Sequence, residues 1–165
     1  MATIISGTTG IDRVHNDAVT ADHIGGTVLQ TAIGSSTTGT YVNSTLNWET
    51  PDGMSVTITP SKTTSKIMLS WSTSVMVYPS ADVGHIYCQI IRNSTQVINL
   101  PAHYASQTSE WRTYVEGSTY IDEPNSTSAL TYQLQFKTSV AGTDSNVRIN
   151  MYSGTAFIQA TEIGG

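Results

Sequence analysis

The sequence predicts an all-β chain: one antiparallel β-sandwich, jelly-roll-like, preceded by an extended N-terminal arm. Three observations lead there. Ser and Thr together supply 46 of the 165 residues, while the strong helix formers Lys, Glu and Leu number only three, five and six. Thr, Val, Ile and Tyr suit a pleated, half-buried surface, whereas helices draw on straight-chain residues that keep their rotamer freedom. Short runs of alternating apolar and polar residues recur along the chain between turn clusters, the spacing of a sandwich or jelly roll. The first 25 residues break that pattern, with isolated apolar side chains set among Gly, Thr, Asp and Asn. The division is therefore residues 1–25 as an anchoring arm and 26–165 as one domain. A chain of this length buries roughly 70% of the surface it would expose unfolded, enough for a core without staples.

In the arm, Ile4, Ile5, Ile11, Val14, Val19 and Ile24 recur every few positions. Only residues 20–24 suit a helical turn, with Thr20 as N-cap and Gly25 as stop. Burying an Ile or Val contributes about 1.5–3 kcal/mol, and ordering each residue costs about 1–2 kcal/mol. Over the arm those quantities nearly cancel, so the expectation is a segment that orders only on a neighbouring subunit.

Strands are expected over residues 26–33 and 41–48, the latter closed by a turn at Thr50-Pro51-Asp52-Gly53. A third over 55–59 stops at Pro60. Residues 66–77 give the clearest pattern. Ile67, Leu69, Trp71, Thr73, Val75 and Val77 share one face, which leaves Met68 and Met76 as apolar residues on the other. Residues 85–92 and 96–100 form a hairpin about Asn93-Ser94. In 110–121, Trp111, Thr113 and Val115 are expected inward, with Tyr114 and Glu116 outward. Strands over 130–138, 147–151 and 157–163 complete nine or ten. The expected core is Val56, Ile58, Ile67, Leu69, Trp71, Ile86, Cys88, Ile90, Trp111, Tyr132, Leu134, Phe136, Ile149 and Phe157.

Charge is sparse, with seven Lys and Arg against twelve Asp and Glu, net −5. No basic stripe exists to meet phosphates, which argues against nucleic acid as a partner. No apolar run approaches roughly 18 residues, so no membrane span is expected, and the N-terminus lacks the cationic and apolar regions of a signal peptide. The single cysteine excludes an intrachain disulfide.

Catalytic chemistry finds little support. Cys88 alternates with Ile86 and Ile90 and reads as a small buried hydrophobe. His85 and His103 accompany no nucleophile motif, and no glycine loop cradles a phosphate. His15, Asp17, Asp22 and His23 lie on no rigid element, and a metal site needs fixed geometry. Residues 142–146 offer oxygens but lack the carboxylates of a calcium loop. The expectation is no catalytic residue, no metal and no cofactor. Three Asn-Ser-Thr sequons, at Asn43, Asn93 and Asn125, read as turns. Tyr78, Tyr104, Arg112 and Tyr114 are candidates for exposed contacts that could stack on a sugar.

Trp48-Glu49-Thr50-Pro51-Asp52-Gly53, the run SVTITPSKTTSKIMLSW from Ser55, YIDEPNSTSALTYQLQF from Tyr120, the terminal FIQATEI and the leader ISGTTGIDRVHNDAVTADHIGG followed by GTVLQ carry a resemblance. They resemble small virion structural proteins of tailed bacteriophages, notably phages of cyanobacteria and marine bacteria. The resemblance covers nearly the whole chain. It implies a location on the virion surface, a sandwich or jelly-roll body and a homotrimer partnered by the major capsid protein or a tail protein. Lacking coiled coil, repeats or β-helix period, the chain is expected to be a non-enzymatic capsid decoration (cement) protein. The alternative is a tail-fibre or tail-appendage module recognising a host-surface glycan. For assembly, Ile4, Ile5, Ile11, Val14, Val19, Ile24, Met68 and Met76 are the expected contacts.

Overall fold

The computed structural model describes residues 26–37, 41–78, 83–106, 112–139, 146–150 and 155–165, all of them strand, turn or irregular structure without helix. The arm residues, Trp111 and the candidate metal groups of residues 15–23 lie outside the described residues, as do the side chains of Tyr78, Tyr104 and Arg112.

Eleven strands are described: β1 (Val28–Ser36), β2 (Tyr41–Asn43), β3 (Ser55–Ile58), β4 (Lys66–Tyr78), β5 (Val83–Arg92), β6 (Thr95–Asn99), β7 (His103–Ser106), β8 (Arg112–Asp122), β9 (Leu130–Thr138), β10 (Asn146–Ile149) and β11 (Ala156–Ile163). They form two antiparallel sheets, so the all-β sandwich expected from the alternation is the fold observed. In sheet A, β8 lines one edge of β4. The other edge is shared by β11 along the first half and β10 along the second, flanked by β1 and β2. In sheet B the order is β3-β9-β5, with the far edge of β5 shared by β6 and β7.

Both shared edges have local causes. Between β10 and β11 the chain leaves the ladder at Asn150, whose φ is 56° and whose amide donates to Ser36 O. Asn tolerates that left-handed conformation better than most residues. Between β6 and β7 stands Pro101, which has no N–H for the ladder. β7 itself was not expected from the sequence. β2 is shorter than expected because the Asn43 side chain accepts from Thr45 N at 2.7 Å and turns the chain.

The core lies between the sheets. β4 contributes Ile67, Leu69, Trp71, Val75 and Val77; β5 Ile86, Cys88 and Ile90; β9 Leu130, Tyr132, Leu134 and Phe136; β3 Val56 and Ile58; Ile149 also packs there. In β11 the expected register is off by one. Ala156, Ile158 and Ala160 point inward, and Phe157 is half-buried on the outer face beside Ser72. A one-residue slip exchanges every side chain between faces.

β8 is inverted in the same way. Thr113 and Val115 face out, Val115 being 77% exposed, whereas Tyr114, Glu116, Tyr120 and Asp122 face in beside Val75, Thr73, Leu69 and Ile67. The physical reason is that both inward carboxylates meet partners on the facing sheet, described below.

The two flanks of the sandwich differ. Along β1 and β3 the backbones nearly touch: a Cβ on Gly34 would lie 2.1 Å from Ser55 O and 2.7 Å from Gly53 O. Glycine is required there, and this flank is shut. Along β8 and the broken β6/β7 edge a cleft opens where β6 ends.

Candidate functional site

The open flank is lined by the inward face of β8. Register with β4 aims Glu116 and Asp122 between the sheets, where each is buried. Glu116 Oε2 lies 2.7 Å from His103 Nε2, and the Trp71 indole reaches Oε1 at 3.5 Å. The His103 ring stacks on Tyr114, centroids 4.6 Å apart. Asp122 Oδ2 accepts from Arg92 at 2.7 Å and from the Tyr132 hydroxyl at 2.6 Å. Sheet B thus supplies a basic side chain for each carboxylate of β8, and the two pairs lace the sheets together.

Electrostatics follows this wiring. Burial, then the hydrogen bond to Asp122 and its charge, hold the Tyr132 phenol far above its ordinary value, so it remains a donor. Burial alone would lower Arg92, but its hydrogen bond to Asp122 and that carboxylate's charge outweigh it and raise the guanidinium. Cys88 is pushed far up by burial and then by the charge of Glu116. A thiol so placed stays protonated and inert, which agrees with its expected place in the core.

Where β6 breaks, a cleft of about 320 Å³ opens, lined by Trp71, Leu100, Pro101, His103, Glu116 and Ser118. Ser118 makes no hydrogen bond to His103 among the described residues, and His103 Nε2 is taken by Glu116. Ser, His and Glu therefore share a cleft without forming a proton relay. Among the described residues no group of three His, Cys, Asp or Glu is placed to hold a metal.

At the opposite flank Glu162 is fully buried, held among the described residues by neutral donors. Its Oε1 accepts from Ser61 N (2.7 Å), Ser61 Oγ (2.7 Å) and Ser65 Oγ (2.6 Å), and its Oε2 from Gln30 Nε2. Burial raises a carboxyl, but these donors outweigh it and hold Glu162 below the ordinary range. The group ties β11 to β1 and to the loop entering β4.

The outer face of sheet A has a different character. Ser35, Phe157, Ser72 and Gly117 form one row across β1, β11, β4 and β8; Ile33, Gln159, Ser70 and Thr119 the next; Thr31, Thr161, Met68 and Ile121 a third. None is charged. At the rim Lys66 and Glu123 pair with one another at 2.6 Å. Of the six exposed large apolar side chains among the described residues, five stand on this face: Val28, Ile33, Val42, Val115 and Ile121. Met68 and Met76 lie on it as expected, but Met76 is only 4% exposed, so it has little surface to offer a partner.

Of the expected sugar contacts, Tyr114 turns inward onto His103. Of the sequon asparagines, Asn93 and Asn125 have the positive φ of turn residues, 55° and 50°, whereas Asn43 ends β2, buried, and donates to Asn47 O and Phe136 O. The sequence reading passed over Glu116, Asp122 and Glu162. For Glu162 a signal existed, since alternation with Ile158 and Ala160 assigns it to the interior.

No protein-family model matches the chain, and no curated protein matches it significantly. Among solved structures it is similar to a chain of the T13 IBDV viral particle, at 12% identity and a TM-score of 0.40 over 81% of this chain and 35% of that one. It is also similar to dimeric latent PorU from Porphyromonas gingivalis, at 11% identity and a TM-score of 0.36 over 88% of this chain and 14% of that one. The chain spans far less than half of either protein, and neither likeness carries an argument about family or activity.

Proposed function

We propose that this chain is a non-enzymatic structural protein of a tailed-bacteriophage virion, a capsid decoration protein that assembles as a homotrimer on the particle surface. The outer face of sheet A carries the reading. Its three central rows carry no charge, and Arg148 beside Met76 and the Lys66–Glu123 pair stand at the ends, so copies of a chain of net −5 can approach there without repulsion between carboxylates. Its hydroxyls both donate and accept, so the face can meet a different surface of the next copy, the head-to-tail contact that closes a three-fold ring. Ile33, Val115 and Ile121 are the apolar anchors, each gaining about 1.5–3 kcal/mol on full burial. The arm, residues 1–25, is the attachment to the major capsid protein or, in a tail, to a tail protein.

The resemblance of the sequence to small phage virion proteins supports the same reading, and the polar groups of the sandwich interior act as internal ties. Quantitative mass spectrometry of purified particles tests the address. A decoration protein is expected at a copy number comparable with that of the major capsid protein. A handful of copies per particle would place the chain in the tail, and its absence from purified particles would overturn the proposal.

A further inference from the structure

The outer face of sheet B carries a different surface. Register places Lys137 of β9 opposite Tyr87 of β5, and the bridge between Glu49 and Phe136 brings Trp48 alongside Lys137 from the other edge. The Lys137 ammonium lies 4.7 Å from the Trp48 ring centroid and 5.8 Å from that of Tyr87. His85 stacks beside Tyr87 at 6.0 Å. The next row is made of amides: Gln89 donates to Gln135 at 2.9 Å, and Gln135 to the Thr50 hydroxyl at 3.3 Å. A row of ring, cation and ring therefore runs beside a row of hydroxyl, amide and amide.

Two features of this grid point to a ligand. Lys137 meets no carboxylate among the described residues, in a chain where acidic groups outnumber basic ones. It is held instead by ring faces, which attract a cation without neutralising it. The rings also stand on either side of β9, about 9–10 Å apart, two strand spacings. That leaves a half-exposed platform with apolar faces at both ends, a positive charge between them and the Gln135 amide and Thr50 hydroxyl alongside, Gln89 being buried beneath.

We propose that this platform binds an acidic glycan, the ring of a carboxylated pyranose resting against Trp48 or Tyr87 with its carboxylate on Lys137 and its hydroxyls on Gln135 and Thr50, while buried Gln89 holds the Gln135 amide in place. Flat aromatic faces take the C–H side of a sugar ring, and an ammonium that meets no carboxylate among the described residues selects for the anion. The inference uses the face opposite the assembly surface and does not rest on that reading.

The test is isothermal titration of the full chain with oligogalacturonate, a carboxylated glycan, and with dextran, a neutral one. Oligogalacturonate is expected to bind at least about tenfold more tightly than dextran, with affinity falling as salt rises. Lys137→Met should lose about tenfold or more with the thermal midpoint unchanged, and Lys137→Arg should retain binding. Should Lys137→Met disturb folding, Tyr87→Leu is the second variant and should weaken oligogalacturonate in the folded protein. Equal affinity for both glycans, binding of neither, or an unchanged affinity in folded Lys137→Met or Tyr87→Leu would overturn the proposal.

Discussion

Replacing Trp71 by alanine is expected to destabilise the fold by about 3–5 kcal/mol, the range for truncating a buried aromatic. Trp71 is 2% exposed at the centre of β4, the longest strand, and packs between the sheets. Its removal deletes apolar contact area and also takes a donor from Glu116. The site adjoins the cleft at the open flank, so water can reach the space left behind. Trp71→Phe keeps one aromatic ring in the core while removing the indole N–H and the second ring, and should cost less than the alanine variant. Urea titration followed by circular dichroism measures both, and an alanine variant as stable as the parent would exclude this register for β4.

Replacing Glu162 by leucine is expected to cost a comparable amount, about 3–5 kcal/mol, by another route. The carboxylate satisfies the Ser61 amide, the Ser61 and Ser65 hydroxyls and the Gln30 side chain. Buried Ser65, left without an acceptor, costs about 1–3 kcal/mol, and the part-buried bonds from Ser61 and Gln30 to the charged oxygens add the rest. Glutamine keeps one acceptor oxygen, so Glu162→Gln should cost about 1–2 kcal/mol. The same site gives a pH dependence. Because the donors hold Glu162 below its ordinary value in the folded state, its stabilisation is fully present above the unfolded value of about 4.3. It disappears as pH falls through the lowered folded value. Thermal midpoints of the parent should therefore drop on acidification below about pH 4.3. Those of Glu162→Gln should drop less, and parallel curves would show that the carboxylate is not the responsible group.

How far this fold can be read from its sequence depends on where the partners lie. β4 alternates over its whole length with apolar residues on one face, so Ile67, Leu69 and Trp71 were assignable from local pattern alone. Leu130, Tyr132, Leu134 and Phe136 of β9 were legible for the same reason. β8 defeated the same logic. Its apolar Val115 faces out, and its inward Glu116 and Asp122 are tolerable only because His103 and Arg92 approach from sheet B. A buried charge must be paired, and a partner contributed by a different sheet leaves no trace in local periodicity. Phe157 illustrates the bias from the other side. An aromatic residue reads as core, yet the alternate register of β11 places Ile158 inside and admits Glu162 because Ser61, Ser65 and Gln30 surround it.

The candidate surfaces were legible only in part. Composition marks the chain as Ser/Thr-rich and poor in charge, but it does not say that the exposed apolar residues collect on one face. That follows from the pairing of β1, β11, β4 and β8, which brings together residues from both ends of the chain. The Trp48, Lys137 and Tyr87 row likewise joins three distant segments. Met68 and Met76 were correctly placed on the outer side of β4, while their difference in burial depends on neighbours in β8 and β10, Thr113 and Arg148 for Met76.

Assembly through the outer face of sheet A is tested most directly by multi-angle light scattering of the full chain beside the double variant Ile33→Asp/Ile121→Asp. Both positions are solvent-exposed in one copy, at 62% and 43%, so the substitutions should leave the thermal midpoint of the body nearly unchanged. They place two carboxylates on a face that otherwise carries no charge in its central rows. The parent is expected at three times the chain mass of 17.7 kDa and the double variant at the mass of one chain. A parent that stays monomeric at micromolar concentration, or a double variant that still trimerises, would contradict assembly through this face.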